Sequence, residues 1–303
     1  MRDSLGKQES YVARSALGKP PARLAFSVLS VIAIGGYNLW LRENVEAQLL
    51  ILGLLLAMTG LPHGAVDPAI AKQAGFWRGA PGLLKFSVGY LGLSVVVIGV
   101  WFVLPELFIV PMLAFSAWHF AGDWQRYFGR IPSLAISTAV ITLPALFYPA
   151  EVLAIFAVLA PSGSLIIVDG MVLLSIASSL TVAVCCLKTQ QPSVILLAEL
   201  VILFCAAYAL PPIAYFTVYF CLLHSPLHLN QSMEQLGLVE TLVYAVPFTA
   251  LSFVLGALLF LNLPAIDFSF QLMQVIFVGL FALTVPHMLL IGVLNQDSRG
   301  KPG

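Results

Sequence analysis

Charge is scarce in this sequence. Asp, Glu, Lys and Arg make up 9% of its 303 residues, against about 25% in a soluble protein. Hydrophobic residues make up 60%, and mean hydropathy is +0.98. This excludes a soluble globular domain and leaves an integral membrane protein. The 14 basic and 14 acidic residues cancel, so nothing points to a nucleic-acid partner. The two-residue alternation of a membrane β-barrel is missing. Cysteine is limited to Cys185, Cys186, Cys205 and Cys221. Their spacing is neither that of a metal knuckle nor that of a disulfide framework, and they read as small buried hydrophobes. The first 22 residues have no apolar signal-peptide core, so nothing there looks cleaved.

What remains is an all-α, polytopic transmembrane bundle. Ten apolar stretches approach or exceed the ~20 residues that a crossing helix needs: 23–40, 47–71, 82–104, 106–121, 131–157, 164–187, 192–209, 212–230, 239–262 and 270–294. The fourth is short, and Pro144, Pro149 and Glu151 break the fifth, so the expectation is eight to ten crossings. The basic residues test the layout. With ten crossings and both termini cytoplasmic, only Arg42 of the 14 lies outside, as the positive-inside rule requires. The expected organisation is a basic cytoplasmic arm over 1–22, one transmembrane domain over 23–294 and a cytoplasmic tail over 295–303, in the inner (plasma) membrane.

Histidine is rare too, and its placement is informative. His63, His119, His224, His228 and His287 are the full complement, each inside or at the end of an apolar stretch. Ionisable residues at membrane depth are costly and mark functional sites, and imidazole is the commonest nitrogen ligand for iron, zinc and copper. All five fall on even-numbered stretches, past the middle and toward the cytoplasmic end, so they share one half of the membrane. His224 and His228 are four residues apart, a helical rise of about 6 Å on one face, which suits two ligands to one metal. His63 and Asp67, and His119 and Asp123, repeat that spacing. The aspartates either orient imidazoles or waters or are interfacial residues at helix ends. Gly64 and Gly122 could let helices approach closely.

Pro286 precedes His287 as Pro62 precedes His63. A proline frees a backbone carbonyl one turn earlier, which an imidazole can bond. His287 is thus a ligand, a supporting donor or a packing residue. Glu199, near the middle of the seventh stretch, must pair, protonate or face a polar cavity.

Four motifs together carry a resemblance: Leu61-Pro62-His63-Gly64-Ala65-Val66-Asp67, Trp118-His119-Phe120-Ala121-Gly122-Asp123, Cys221-Leu222-Leu223-His224-Ser225-Pro226-Leu227-His228 and Pro286-His287-Met288. In that order they resemble the Brp/Blh family of microbial membrane β-carotene 15,15′-dioxygenases, from residue 61 to 288. Val66 departs from the leucine expected there. The resemblance implies a non-haem Fe(II) enzyme that splits the central double bond of β-carotene with O₂ into two all-trans-retinal molecules, a product that a microbial rhodopsin would take up. It carries the iron ligands onto His63, His119, His224 and His228 and leaves the role of His287 open. The lipid bilayer delivers the hydrocarbon substrate laterally, and some of the 20 phenylalanines would line its path.

Other readings compete. A haem- or quinone-linked redox protein also uses intramembrane histidines, although His224 and His228 are too close to serve two stacked haems. An ion or metal transporter would use His, Asp and Glu along its path, and inverted repeats would support it; the sequence shows none. A di-iron lipid desaturase needs more histidines than five.

Overall fold

The computed structural model describes residues 20–299, apart from 43, 126, 190–192 and 265–266. The expected N-terminal arm lies outside the described residues except for its last three positions, which open the first helix. Among the described residues there are helices and turns but no strand. The chain is a polytopic membrane bundle: seven described runs are long and apolar enough to cross a bilayer.

In order, the helices are α1 (Pro20–Trp40), α2 (Val45–Leu55), α3 (Leu61–Ala65), α4 (Asp67–Gln73), α5 (Gly79–Val103), α6 (Pro105–Ala121), α7 (Arg130–Phe147), α8 (Pro149–Leu159), α9 (Ser164–Lys188), α10 (Val194–Ala209), α11 (Pro212–Tyr219), α12 (Ser225–Leu236), α13 (Leu238–Asn262) and α14 (Phe268–Arg299). The seven crossing runs are Arg23–Trp40, Val45–Gln73, Gly79–Val103, Arg130–Phe147, Ser164–Lys188, Leu238–Asn262 and Phe268–Leu294. The other expected spans are shorter or broken. α6 has 17 residues and α10 has 16. The fifth stretch divides at Tyr148 (φ −133°, ψ 56°), ahead of Pro149. Leu104 before Pro105 has nearly the same dihedrals. In both places the proline ring pushes the preceding residue out of the helical region.

Two short π-helical turns set the geometry at the centre. Leu56–Gly60 joins α2 to α3, and Phe220–His224 joins α11 to α12. In each, a backbone N–H reaches five residues back, Leu61 to Leu56 and Ser225 to Phe220. A proline follows immediately, Pro62 and Pro226. It cannot donate to the helix, and its ring crowds the carbonyl four residues earlier; a widened turn relieves both problems. The two turns pack on each other, tied by the Thr59 hydroxyl donating to the Cys221 carbonyl at 3.0 Å. Gly60 makes this contact possible, because a Cβ there would lie 3.2 Å from the Phe220 ring and 2.5 Å from Leu56 Cδ2. Gly64 and Gly122, expected to allow close approach, have nothing within 4 Å of where a Cβ would stand.

α5 and α13 are the most outward helices. Their exposed side chains are apolar, including Val88, Val95, Val96, Leu242, Val243 and Val246. Patches of this kind are rare on soluble monomers and suit lipid. Of the four cysteines, Cys221 is buried, Cys185 and Cys186 are half-buried and Cys205 is exposed, so the expectation of buried hydrophobes holds for one.

Candidate metal centre

The five histidines come from α3, α6, the second π turn, α12 and α14, and they form one cluster. Ring centroids are 4.7 Å apart for His119 and His224, 4.5 Å for His224 and His228, 5.1 Å for His119 and His287, 5.4 Å for His63 and His224, and 5.9 Å for His63 and His287. The donor atoms of His63, His119 and His287 lie within 4.8 Å of one another, and so do those of Asp123, His224 and His228. The two groups meet where His119 Nε2 and His224 Nε2 stand 3.1 Å apart.

Hydrogen bonds fix which nitrogen each ring presents. His63 Nδ1–H donates to the Gly60 carbonyl inside the first π turn. His224 Nδ1–H donates to the Asp123 carboxylate at 3.0 Å. His287 Nδ1–H donates to the Asp67 carboxylate, 2.9 Å from each oxygen. In all three the Nε2 keeps its lone pair, the state a metal ligand requires. His228 is different, since its Nε2 lies 3.1 Å from Asp123 Oδ1.

Both aspartates orient imidazoles, but not those of their own motifs. The spacing placed Asp67 beside His63 and Asp123 beside His119. The chain instead bends at Val66 between α3 and α4, and α6 gives way to a tight turn over Gly122–Trp124. Each carboxylate is thereby directed across to another helix, Asp67 to His287 and Asp123 to His224 and His228. Each also accepts a phenol: Tyr90 donates to Asp67 Oδ2 at 2.8 Å, and Tyr219 donates to Asp123 Oδ2 at 2.9 Å. The carbonyl freed by Pro286 is not the partner of His287, contrary to the reading of the Pro-His pairs.

Glu199 pairs with the residue that opens the first apolar stretch. Arg23, on α1, forms a fully buried ion pair with it. Trp124 Nε1 donates to the other Glu199 oxygen at 2.7 Å, and Arg23 Nη2 donates to the Asp123 carbonyl at 2.8 Å. Of the three options the sequence left for Glu199, its bonds show pairing. Sequence reasoning missed Arg23 as a partner, and it missed Tyr90, Tyr219 and Trp124. Arg23 alone carried a signal, as an arginine with apolar sequence immediately after it.

A metal ion fits this donor set. Asp67 and Asp123 are fully buried, and the hydrogen-bond partners of their carboxylates are imidazoles and phenols. Arg23 and Glu199 cancel each other. Two ionised carboxylates in an apolar interior need compensating positive charge. Two protonated imidazoles would supply it at the cost of mutual repulsion within a few ångströms. A divalent cation held among the imidazoles would supply it. Imidazoles in mutual contact leave no room for a porphyrin between them, which removes the haem reading.

A cleft leads to this centre. Its cavity volume is about 70 Å³, and His63, His119 and His287 line it. Its walls are mostly apolar: Phe86, Tyr90 and Leu91 on α5, Phe248 and Leu251 on α13, Leu280 and Leu283 on α14, and Phe220. Its sides are thus the two helices that face outward.

Residues 54–295 match the family model described as beta-carotene 15,15′-dioxygenase. A beta-carotene 15,15′-dioxygenase from uncultured marine bacterium 66A03 is 30% identical over 250 residues, covering 78% of this chain and 90% of the relative. The chain belongs to the β-carotene 15,15′-dioxygenase family. No solved structure matches it. The family match spans all five histidines, Asp67, Asp123 and Glu199, while Arg23 and most of α1 and α2 precede it.

Proposed function

We propose that the chain binds one Fe(II) ion in the histidine cluster and uses O₂ to cleave β-carotene at its central 15,15′ double bond, giving two all-trans-retinal molecules. The carbon–carbon double bond breaks and each carbon gains one atom of O₂, so no further reductant is required. The observation that carries this reading is an apolar cleft, walled by outward-facing helices, that leads to imidazoles held with their Nε2 lone pairs free. The family similarity supports the carotenoid.

Iron bound here would supply the one-electron chemistry through which O₂ reacts with a closed-shell alkene. The chain's own residues do the rest. His63, His119 and His224 offer three nitrogens, and the fourth comes from His228 or His287; the sequence resemblance favours His228. Neutral imidazoles leave the ion's charge uncancelled in its immediate shell, while Asp67 and Asp123 offset it one bond further out and hold the ring protons at Nδ1. The apolar walls exclude water and align the polyene, so that its centre, and not an end, lies beside the imidazoles. Retinal released into the bilayer would be available to a membrane protein that binds it, such as a microbial rhodopsin.

Expression in a β-carotene-producing host tests the reading. Colour should bleach and retinal should accumulate as the single cleavage product, two per β-carotene, whereas His224→Ala should leave the colour. Mainly off-centre fragments would overturn the regiochemistry. For the topology proposed with it, both termini cytoplasmic in the inner membrane, reporters at residues 41–46 and 303 should read opposite sides.

A further inference from the structure

We propose that iron reaches the histidine cluster from the aqueous phase along one face of α12, past Gln235, Gln231 and His228, and that this polar port is separate from the apolar cleft. The inference rests on the proposed iron centre and concerns how the ion arrives there.

The cluster comes near the surface on two sides. On one, His63, His119 and His287 line the cleft, whose walls are mostly apolar side chains of α5, α13 and α14. A hydrated divalent cation passing that way would lose its water with nothing to replace it, at a prohibitive cost. His224 is fully buried. His228 is the exception. It is not a wall residue of the cleft, yet its side chain is 27% exposed. The cluster therefore has a second opening, beside α12.

The chain around that opening is polar. Beyond His228, α12 carries Asn230, Gln231, Ser232, Glu234 and Gln235. Asn230 and Glu234 are exposed, and such groups face water rather than lipid. Gln231 and Gln235 follow His228 by three and seven residues and are half-buried. That spacing puts all three on one helical face over about 10 Å. Gln235 Nε2 donates to Gln73 at the end of α4. Its neighbour Lys72 forms a solvent-exposed ion pair with Glu240 at 3.1 Å. A row of amides thus runs from the water-facing surface to His228. At the inner end, His228 Nε2 lies 3.1 Å from the buried Asp123 carboxylate. Amide oxygens can replace water around a hard cation one at a time, and the carboxylate draws the ion inward. A polyene held in the cleft would not obstruct this row, so the two openings serve two phases.

The test uses the full-length protein in nanodiscs, stripped of metal, with Co(II) standing in for Fe(II). Its visible absorption bands follow uptake by stopped flow. A port sets the rates of loading and release together and leaves the equilibrium alone, which neither a ligand nor a structural role does. Gln231→Leu combined with Gln235→Leu should slow both rates by about tenfold, the low end of what a charged, polar approach contributes to an on-rate. Co(II) should still bind at wild-type affinity. Gln231→Cys labelled with a cationic, membrane-impermeant thiosulfonate should load slowly and recover when a reductant removes the label. Wild-type protein treated in the same way should load normally. Leu251→Trp, which fills the cleft, should leave loading unchanged. Wild-type rates in the double-leucine and labelled proteins would overturn the port, and so would weakened affinity in the double-leucine protein or slow loading in Leu251→Trp alone. These outcomes leave the iron reading standing. Wild-type protein that takes up neither Co(II) nor Fe(II) would overturn that reading, and the port with it.

Discussion

On one side of the histidine cluster, Asp67 accepts His287 and Tyr90; on the other, Asp123 accepts His224, His228 and Tyr219. The parts are alike and the surroundings are not. The Asp67 side borders the cleft, where Tyr90 and His287 are wall residues. The Asp123 side is backed by the buried Arg23–Glu199 pair, with Trp124 on Glu199 and Arg23 on the Asp123 carbonyl. One half is therefore the one that a substrate in the cleft would meet, and the other anchors the centre to α1 and α10.

The largest effect should come from the anchor. Arg23→Ala leaves Glu199 buried without its cation, and breaking such a pair costs about 3–5 kcal/mol. Thermal unfolding in detergent should show it, and the double replacement Arg23→Met with Glu199→Met should recover most of the loss. An unchanged melting temperature in Arg23→Ala would remove the anchor from the comparison.

Next come the two carboxylates. Asp123→Ala withdraws support from two imidazoles and should weaken iron binding by about 100-fold, at the upper end of what such partners contribute. Asp67→Ala withdraws it from one and should cost about tenfold. Equal losses in an iron titration would show the two halves to be equivalent.

The difference between the halves also shows what the sequence could convey. Its apolar stretches marked the crossing helices, and its five histidines, Asp67, Asp123 and Glu199 marked the residues that gather at the centre. The partners were not legible. Four-residue spacing implies a shared face only while one helix continues, and the bend at Val66 and the turn at Gly122–Trp124 redirect both aspartates. Tyr90 and Tyr219 look like any membrane tyrosine until their hydroxyls are placed. Arg23 opens the first apolar stretch with nothing nearby to pair it, and its partner is 176 residues away. The close-packing glycine is Gly60, inside a π turn that no periodicity announces. Seven described runs have the length and composition of a crossing, and Pro105, Pro149 and Pro212 open helices of 17, 11 and 8 residues, so length alone does not carry the expected eight to ten.

A smaller effect should appear at the cleft. Gly64 lines it, with open space where a side chain would stand. Gly64→Leu should lower carotenoid turnover by about tenfold, the scale of a few misplaced methylenes in an apolar pocket, and leave iron content unchanged. Loss of iron in this variant would mean that the cleft and the centre are not separable.

Five imidazoles and two buried carboxylates are proposed to enclose a single divalent cation. Elemental analysis of wild-type protein, stripped of metal and reloaded anaerobically with Fe(II), addresses it most directly. The expected result is one iron per chain, falling to near zero when Asp67 and Asp123 are both replaced by alanine. A wild-type protein that stays metal-free, or a doubly substituted protein that still holds one iron, would contradict it.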